Sequence, residues 1–236
     1  MRILGIPLQI HRSWFIVVAF VSWTLATGYF PINYAALSPP VCWGMGFVAA
    51  LLLFVCVVLH ELGHALTARA FGIPVAQVTL FLFGGVAWML EESRRPAVEL
   101  LVAVAGPLVS LVLAAACFWG AGAMPEATPW QIVVQAIVQY LAYVNTGILL
   151  FNLLPGLPLD GGRVLRALLW AVTRNARLAT RVTSAIGRGL GMGLIVLGGW
   201  MALRGRLSGG LWYVLLGVFL RRAAQTSSRR AGSTGA

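Results

Sequence analysis

The chain has 236 residues, of which 60% are hydrophobic and only 10% are charged. This balance excludes an ordinary soluble domain and is typical of a membrane protein with several spanning helices. The net charge of +11 comes entirely from arginine, because the chain has no lysine. The arginines lie between apolar segments and form no basic stripe with interleaved aromatics. They therefore predict loops that set the membrane topology, and no binding of nucleic acid.

Apolar runs predict about six transmembrane helices. The first run is too long for the apolar part of a signal peptide and lacks a convincing cleavage site, so we expect it to be retained. The last run is short for a span. The predicted spans are residues 13–30, 42–66, 97–120, 130–151, 184–203 and 207–220.

The second span carries the sequence HELGH. His60 and His64 are four residues apart and share one face of a helix, with Cβ atoms roughly 5–6 Å apart. Both imidazoles can bind one metal ion, and Glu61 can transfer a proton beside it. Each charged group inside a membrane costs about 2.5–3.5 kcal/mol, so a chance occurrence is a weak alternative. The stretch therefore predicts a metal site, close to one face of the membrane.

Residues 75–90 have the composition of a β-hairpin. Two runs rich in β-forming residues flank Gly84-Gly85, which we expect to link the strands. Strand edges cannot face lipid, so the hairpin must re-enter the membrane against protein or line a wet cavity. Such an edge can pair with an extended peptide, and a purely structural loop is the alternative.

The stretch between the fourth and fifth spans combines apolar residues with helix breakers. Its sequence is NLLPGLPLDGGR, and it contains Asp160, the only aspartate of the chain. Irregular backbone at membrane depth is tolerated where it is buried or lines a cavity. Asp160 could serve as the N-cap of the following helix. We favour a third metal ligand, which would complete a site of two histidines and one carboxylate.

Small residues in the later spans predict close helix packing. Gly106 and Ser110 form a small-xxx-small pair in the third span, and the fifth span carries GxxxG patterns in two registers. Their partner is not specified, which leaves a homo-oligomer open. The expected fold class is an all-α polytopic membrane protein with a small re-entrant β-hairpin. Residues 1–222 form the membrane core, and residues 223–236 are expected to be a disordered polar tail.

The arginines also predict the orientation. Most of them fall on the side that holds both termini, so the positive-inside rule places the termini and the end of HELGH at the cytoplasm. We expect a multi-pass protein of the cell membrane, in contact with the lipid bilayer, with its active-site opening toward the cytoplasm.

HELGH in the second span, together with Asn152 and the sequence Leu159-Asp160-Gly161, resembles the site-2 protease family of intramembrane zinc metalloproteases. The N-terminal Gly-Ile-Pro segment, the Phe-Gly-Gly hairpin and the Gly-x-x-x-Ser of the third span extend the resemblance over nearly the whole chain. The resemblance implies one Zn²⁺ per chain, bound by His60, His64 and Asp160. It further implies Glu61 as the general base and Asn152 as a residue that steadies the substrate or the oxyanion.

The resemblance also implies a substrate. Family members cleave membrane-embedded segments in regulated proteolysis, so the expected partner is a single-pass membrane protein, such as an anti-sigma factor or a membrane-bound transcription regulator. In a prokaryote the site would be the inner membrane. The hairpin residues Phe83, Gly84, Gly85 and Val86 would bind the substrate. The six-span layout is similar to the branch that carries C-terminal CBS domains. This sequence stops about where they would begin, so we expect either that the protein lacks them or that they lie beyond this sequence.

Two other functions use the same residues. A metal-ion transporter or metal-binding membrane protein could employ the same ligands, but further ionisable residues leading through the spans are not evident. A catalytically silent relative would be expected to have lost the glutamate or a ligand, and all of them are present.

Overall fold

The computed structural model describes residues 2–81, 84–90, 93, 95–125 and 128–233. Its helices are α1 (Ser13–Thr24), a π-helical turn (Leu25–Tyr29), α2 (Phe30–Asn33), α3 (Pro39–Ala70), α4 (Pro96–Ala123), α5 (Pro129–Asn152), α6 (Asp160–Thr173), α7 (Ala176–Leu203) and α8 (Leu207–Ser233). Its strands are β1 (Arg2–Ile3), β2 (Ile6–Ile10), β3 (Val75–Phe81) and β4 (Gly84–Met89). The predicted fold class, a helical membrane protein with a small β element, is confirmed.

Five of the described helical segments are long and apolar enough to cross a membrane. They are Ser13–Asn33, Pro39–Ala70, Pro96–Ala123, Pro129–Asn152 and Ala176–Leu203. These segments contain the first five predicted spans, each extended by a few residues. The sixth predicted span falls within α8, which is helical but is not among these five, so its crossing stays a prediction.

The last described helix, α8, continues to Ser233. The disordered polar tail expected from residue 223 stays a prediction. Polarity alone does not prevent a helix, and this segment has no proline. Leu220 and Ala224 are both buried, which shows that the last apolar turns of α8 pack against the protein.

Helix α3 begins and ends at recognisable signals. Pro39 and Pro40 occupy its first turn, where a missing N–H costs nothing. At the other end Gly72 has a φ of +77°, and the N–H of Ile73 bonds to the carbonyl of Ala68. This is the glycine-dependent Schellman ending of a helix. At about 48 Å, the 32 residues of α3 exceed the ~30 Å thickness of a membrane core.

The chain divides into two compact units. The first contains Met1–Glu92 and Ala105–Leu149, and the second contains Ser93–Val104 and Leu150–Ala236. In the first unit, α3 packs against the N-terminal helices and α5. The buried side chains of this core are Leu25, Phe30, Cys42, Met45, Ala49, Cys56, Ala136, Ile137 and Leu141.

A four-stranded sheet in the first unit packs against the HELGH segment of α3. Its order is β1-β2-β3-β4, with β2 and β3 parallel and the other neighbours antiparallel. Leu62 and Ala65 of α3 bury against Ile6 of β2 and Val78 of β3. The sheet therefore joins the N-terminus of the chain to the candidate site.

The predicted hairpin is present, but its two glycines have a different place. Gly84 and Gly85 belong to β4, where they pair with Phe81 and Leu80 of β3, so they are not the link between the strands. The strands β1 and β2 were not predicted. The alternation of Ile6, Leu8 and Ile10 was the signal for β2, but one short run does not identify a strand partner so distant in sequence.

Glycines in the second unit bring α7 against α8. A Cβ on Gly191 would lie 2.7 Å from the carbonyl oxygen of Gly217, and one on Gly198 would lie 2.5 Å from that of Gly210. Such distances mean that the two backbones touch. The GxxxG patterns predicted close contact without a partner, and the structure supplies one within the same chain.

A buried ion pair fixes α6 in the second unit. Arg166 of α6 contacts Glu99 at the start of α4, with Nη1 and Oε1 2.5 Å apart, and its Nε donates to Thr180 Oγ1 of α7 at 2.8 Å. Glu99 is only 2% exposed. This pair was not predicted from sequence, although a glutamate inside an apolar run was a signal for it.

We predict that Arg166→Leu alone costs about 3–5 kcal/mol, because it removes the charge partner of the buried Glu99 carboxylate. Glu99→Leu should cost less, because the Arg166 side chain is 17% exposed and keeps its contact with Thr180. The double variant should lose far less than the sum of the two. Unfolding of the detergent-solubilised protein in a double-mutant cycle measures this coupling. Additive losses would contradict the pair's role.

Candidate metal centre

The two histidines of HELGH converge on one point. His60 and His64 are each 3% exposed, and their Nε2 atoms lie 3.3 Å apart. Two nitrogens bound at 2.0–2.1 Å to a tetrahedral zinc ion are separated by about 3.3–3.4 Å. The observed spacing of the two imidazoles therefore fits joint binding of one zinc ion.

Ser110 of α4 orients the first of these histidines. His60 Nδ1 lies 2.9 Å from Ser110 Oγ, and Ser110 is completely buried. A hydrogen on Nδ1 that is donated to this hydroxyl leaves the Nε2 lone pair facing His64. Fixing the tautomer through the distal nitrogen is the usual role of an outer partner of a metal-bound histidine.

Gly106 provides the space for an ion. A Cβ at this position would lie 2.7 Å from His60 Nε2 and would overlap His64 Nε2. A side chain at position 106 would therefore fill the volume in which a metal contacts both nitrogens. Gly106 and Ser110 were interpreted from sequence as a helix-packing pair, but the structure turns both toward the histidines. The backbones of α3 and α4 also come close beside this pair, at Gly63, whose Cβ would lie 3.0 Å from the carbonyl oxygen of Ala105.

Asp160 begins α6 and is 7% exposed. The N-cap of this helix is Leu159, with no side-chain capping bond, so the structure does not support the N-cap alternative for Asp160. Gly161 and Gly162 pack so closely on the preceding irregular stretch that a Cβ on either would overlap its backbone. This packing fixes the start of α6, and with it the position of Asp160.

The three predicted ligands form one group. One ligand atom from each of His60, His64 and Asp160 lies within 4.8 Å of the other two, and all three side chains are buried. Two imidazoles and one carboxylate form the donor set of catalytic zinc sites, which keep a fourth position open. The residues present therefore fit zinc in both chemistry and spacing.

Glu61 faces the sheet. Its Oε2 accepts a hydrogen bond of 3.0 Å from the backbone N–H of Ala87 in β4. Gly85, two residues earlier in the strand, lies directly against the same side chain, because a Cβ there would be 2.5 Å from Glu61 Cγ. Gly85 was among the residues predicted from sequence, but Ala87 was not. No residue-type pattern could reveal Ala87, because it contributes only its backbone.

For the other predicted site residues, the structure gives only their position along the chain. Asn152 is half-buried and is the last residue of α5, at the start of the irregular stretch that leads to Asp160. Gly84 and Val86 are backbone members of β4. Phe83 lies outside the described residues.

Together, these features define a membrane protein with a metal centre of the HExxH-plus-carboxylate class. The chain belongs to peptidase family M50, whose profile matches residues 48–129 and 122–197. The predicted resemblance to site-2 proteases is thereby confirmed.

Relatives and a solved structure agree with this assignment. A Synechocystis sp. protein named as a zinc metalloprotease is 42% identical over 96% of the chain, and Rip3 of Mycobacterium tuberculosis, named in the same way, is 38% identical over 97%. The chain spans 58% of the length of each. The site-2 protease of Methanocaldococcus jannaschii has a similar fold, with a TM-score of 0.59, 27% identity, and coverage of 97% of this chain and 93% of that one. Family, relatives and donor set all agree with zinc as the cofactor.

We predict that Gly106→Ala abolishes stoichiometric zinc binding, because the added methyl group occupies the metal's place. Metal analysis of the purified protein measures this loss. Gly122→Ala is the matched control, since it lies on the same helix and its Cβ would meet nothing within 4 Å. Retention of one zinc ion per chain by Gly106→Ala would show that the ion binds elsewhere.

We further predict that Ser110→Ala weakens zinc binding by about 10–100-fold, because the His60 ring loses the partner that fixes its tautomer. Competition with a chelator of known affinity measures the effect. Ser22→Ala, a buried serine on α1, should leave zinc affinity unchanged. Equal affinities of the two variants would argue against the Ser110 contact.

Proposed function

We propose that this chain is an intramembrane zinc endopeptidase that cleaves a transmembrane or membrane-adjacent segment of a membrane-anchored regulator. The observation that carries the proposal is the burial of His60, His64 and Asp160 as one group, with Glu61 adjacent to it in sequence. Ionisable groups among apolar helices are costly, and their convergence on one point is what a hydrolytic metal site requires.

Each residue of the group then has a defined task. Zinc held by His60, His64 and Asp160 would lower the pKa of water at the site to about 7, far below that of bulk water, and would polarise the peptide carbonyl. Glu61 accepts the proton of the attacking water and passes it to the leaving nitrogen. The amide of Asn152 donates a hydrogen bond that steadies the substrate or its developing oxyanion.

The substrate must be extended at the bond that is cut. A helical segment engages its own carbonyls, so it has to unwind before one of them can be attacked. Among the described strands β4 is an edge of the sheet, and an edge offers replacement backbone partners for an unwound segment. We assign this role to Gly84, Gly85 and Val86, with Phe83 as the neighbouring residue in sequence.

A single-pass membrane protein, such as an anti-sigma factor or a membrane-bound transcription regulator, is the substrate class that suits such a site. The arginine distribution supports a cytoplasmic opening and cytoplasmic termini in a prokaryotic inner membrane. The glycine face of α7 is used by α8 of the same chain, so the glycine pattern by itself does not require a homo-oligomer.

The decisive variant is Glu61→Gln. We expect it to keep one zinc ion per chain and to lose cleavage of a transmembrane model substrate by at least about 10²-fold, the range for a lost general base. Reconstituted protein with a labelled single-pass substrate measures the cleavage. Unchanged cleavage would refute the proposal, and zinc flux into proteoliposomes without peptide cleavage would favour a transporter.

A further inference from the structure

We propose that strand β4 positions the general base, with the backbone N–H of Ala87 holding one carboxylate oxygen of Glu61 and Gly85 leaving room for its side chain. Ala87 and Gly85 are thus positioning residues. The inference rests on the proposed function in so far as Glu61 is the base, while the contact itself can be tested without catalysis.

The direction of the Ala87 N–H supports this role. The N–H of Leu90 bonds to the carbonyl of Pro74, on the side of β4 that faces β3. Backbone N–H groups alternate in direction along a strand, so those of Gly85, Ala87 and Met89 point away from β3. The Ala87 N–H is therefore an outward edge donor, and the Glu61 carboxylate binds it at 3.0 Å.

The steric fit supports the same conclusion. A Cβ on Gly85 would lie 2.5 Å from Glu61 Cγ and 3.2 Å from Cδ. The close atom is in the middle of the glutamate side chain, which cannot swing aside without moving the carboxylate. Glycine at 85 is required because the glutamate lies across the strand at this point, and not because a turn needs its flexibility.

The arrangement has a functional consequence. A glutamate has three side-chain torsions, and only a narrow set of them would keep the carboxylate where it can act as the base. The hydrogen bond from the Ala87 N–H, together with the space left at Gly85, restricts the Glu61 side chain to those torsions. The same contact occupies the central outward donor of β4. A substrate strand on this edge must therefore leave Ala87 to Glu61 or displace the carboxylate.

Hydrogen exchange tests the contact directly. In detergent-solubilised protein, Glu61→Ala removes the acceptor and should speed exchange of the Ala87 amide by at least tenfold over wild type. Glu61→Gln keeps an acceptor oxygen and should retain protection. Mass spectrometry with residue-level fragmentation reads the rate. Equal Ala87 rates in all three proteins would overturn the contact, whether or not the protein is a protease.

Kinetics test the positioning role. Ala87→Pro removes the N–H at an outward edge position, where proline is tolerated, whereas Ala87→Gly keeps it. We expect Ala87→Pro to lower kcat at least tenfold with zinc content and KM unchanged, and Gly85→Ala to lower kcat at least tenfold with zinc content unchanged. Ala87→Gly, which keeps the N–H, should recover most of the kcat that Ala87→Pro loses. A raised KM at constant kcat would instead assign β4 to substrate binding alone. Gly44→Ala, whose Cβ meets nothing within 4 Å, controls for the glycine change.

Discussion

The cost of placing ionisable groups among apolar helices is the constraint on which the rest of this structure depends. Two histidines on one helix face are acceptable there only if their polar atoms have partners. His60 is hydrogen-bonded to Ser110. The Nε2 atoms of His60 and His64 lie beside a common position, which stays open because Gly106 has no side chain. Glu61 is satisfied by a backbone donor of the sheet. The same constraint applies in the second unit, where the buried carboxylate of Glu99 forms an ion pair with Arg166.

Much of this architecture could be predicted from the sequence, since its determinants are local. Apolar length predicts the spanning helices, and the four-residue spacing of HELGH puts both histidines on one face. The family and the zinc cofactor follow from these motifs combined with Asp160, and both are confirmed. Asp160 could be singled out because no other aspartate competes with it.

What could not be predicted depends on contacts between distant segments. Gly106 and Ser110 have the spacing of helix packing, and only the position of α3 shows that they face the histidines. Gly84-Gly85 has the composition of a turn, but Gly85 is a strand residue that accommodates a glutamate 24 positions earlier. Ala87 acts through its backbone, so its side chain carries no signal.

The pentapeptide HELGH is usually regarded as two ligands, a base and two spacers, but here the spacers have contacts of their own. Leu62 packs into the core beneath the sheet, and Gly63 sits against the backbone of α4. The five residues of HELGH, about one and a half helical turns, therefore contact the metal position, α4, β4 and the core under the sheet. Tolerance to substitution should fall abruptly over these five residues. It should recover at Leu59 and Leu66 on either side, which are exposed and would face lipid.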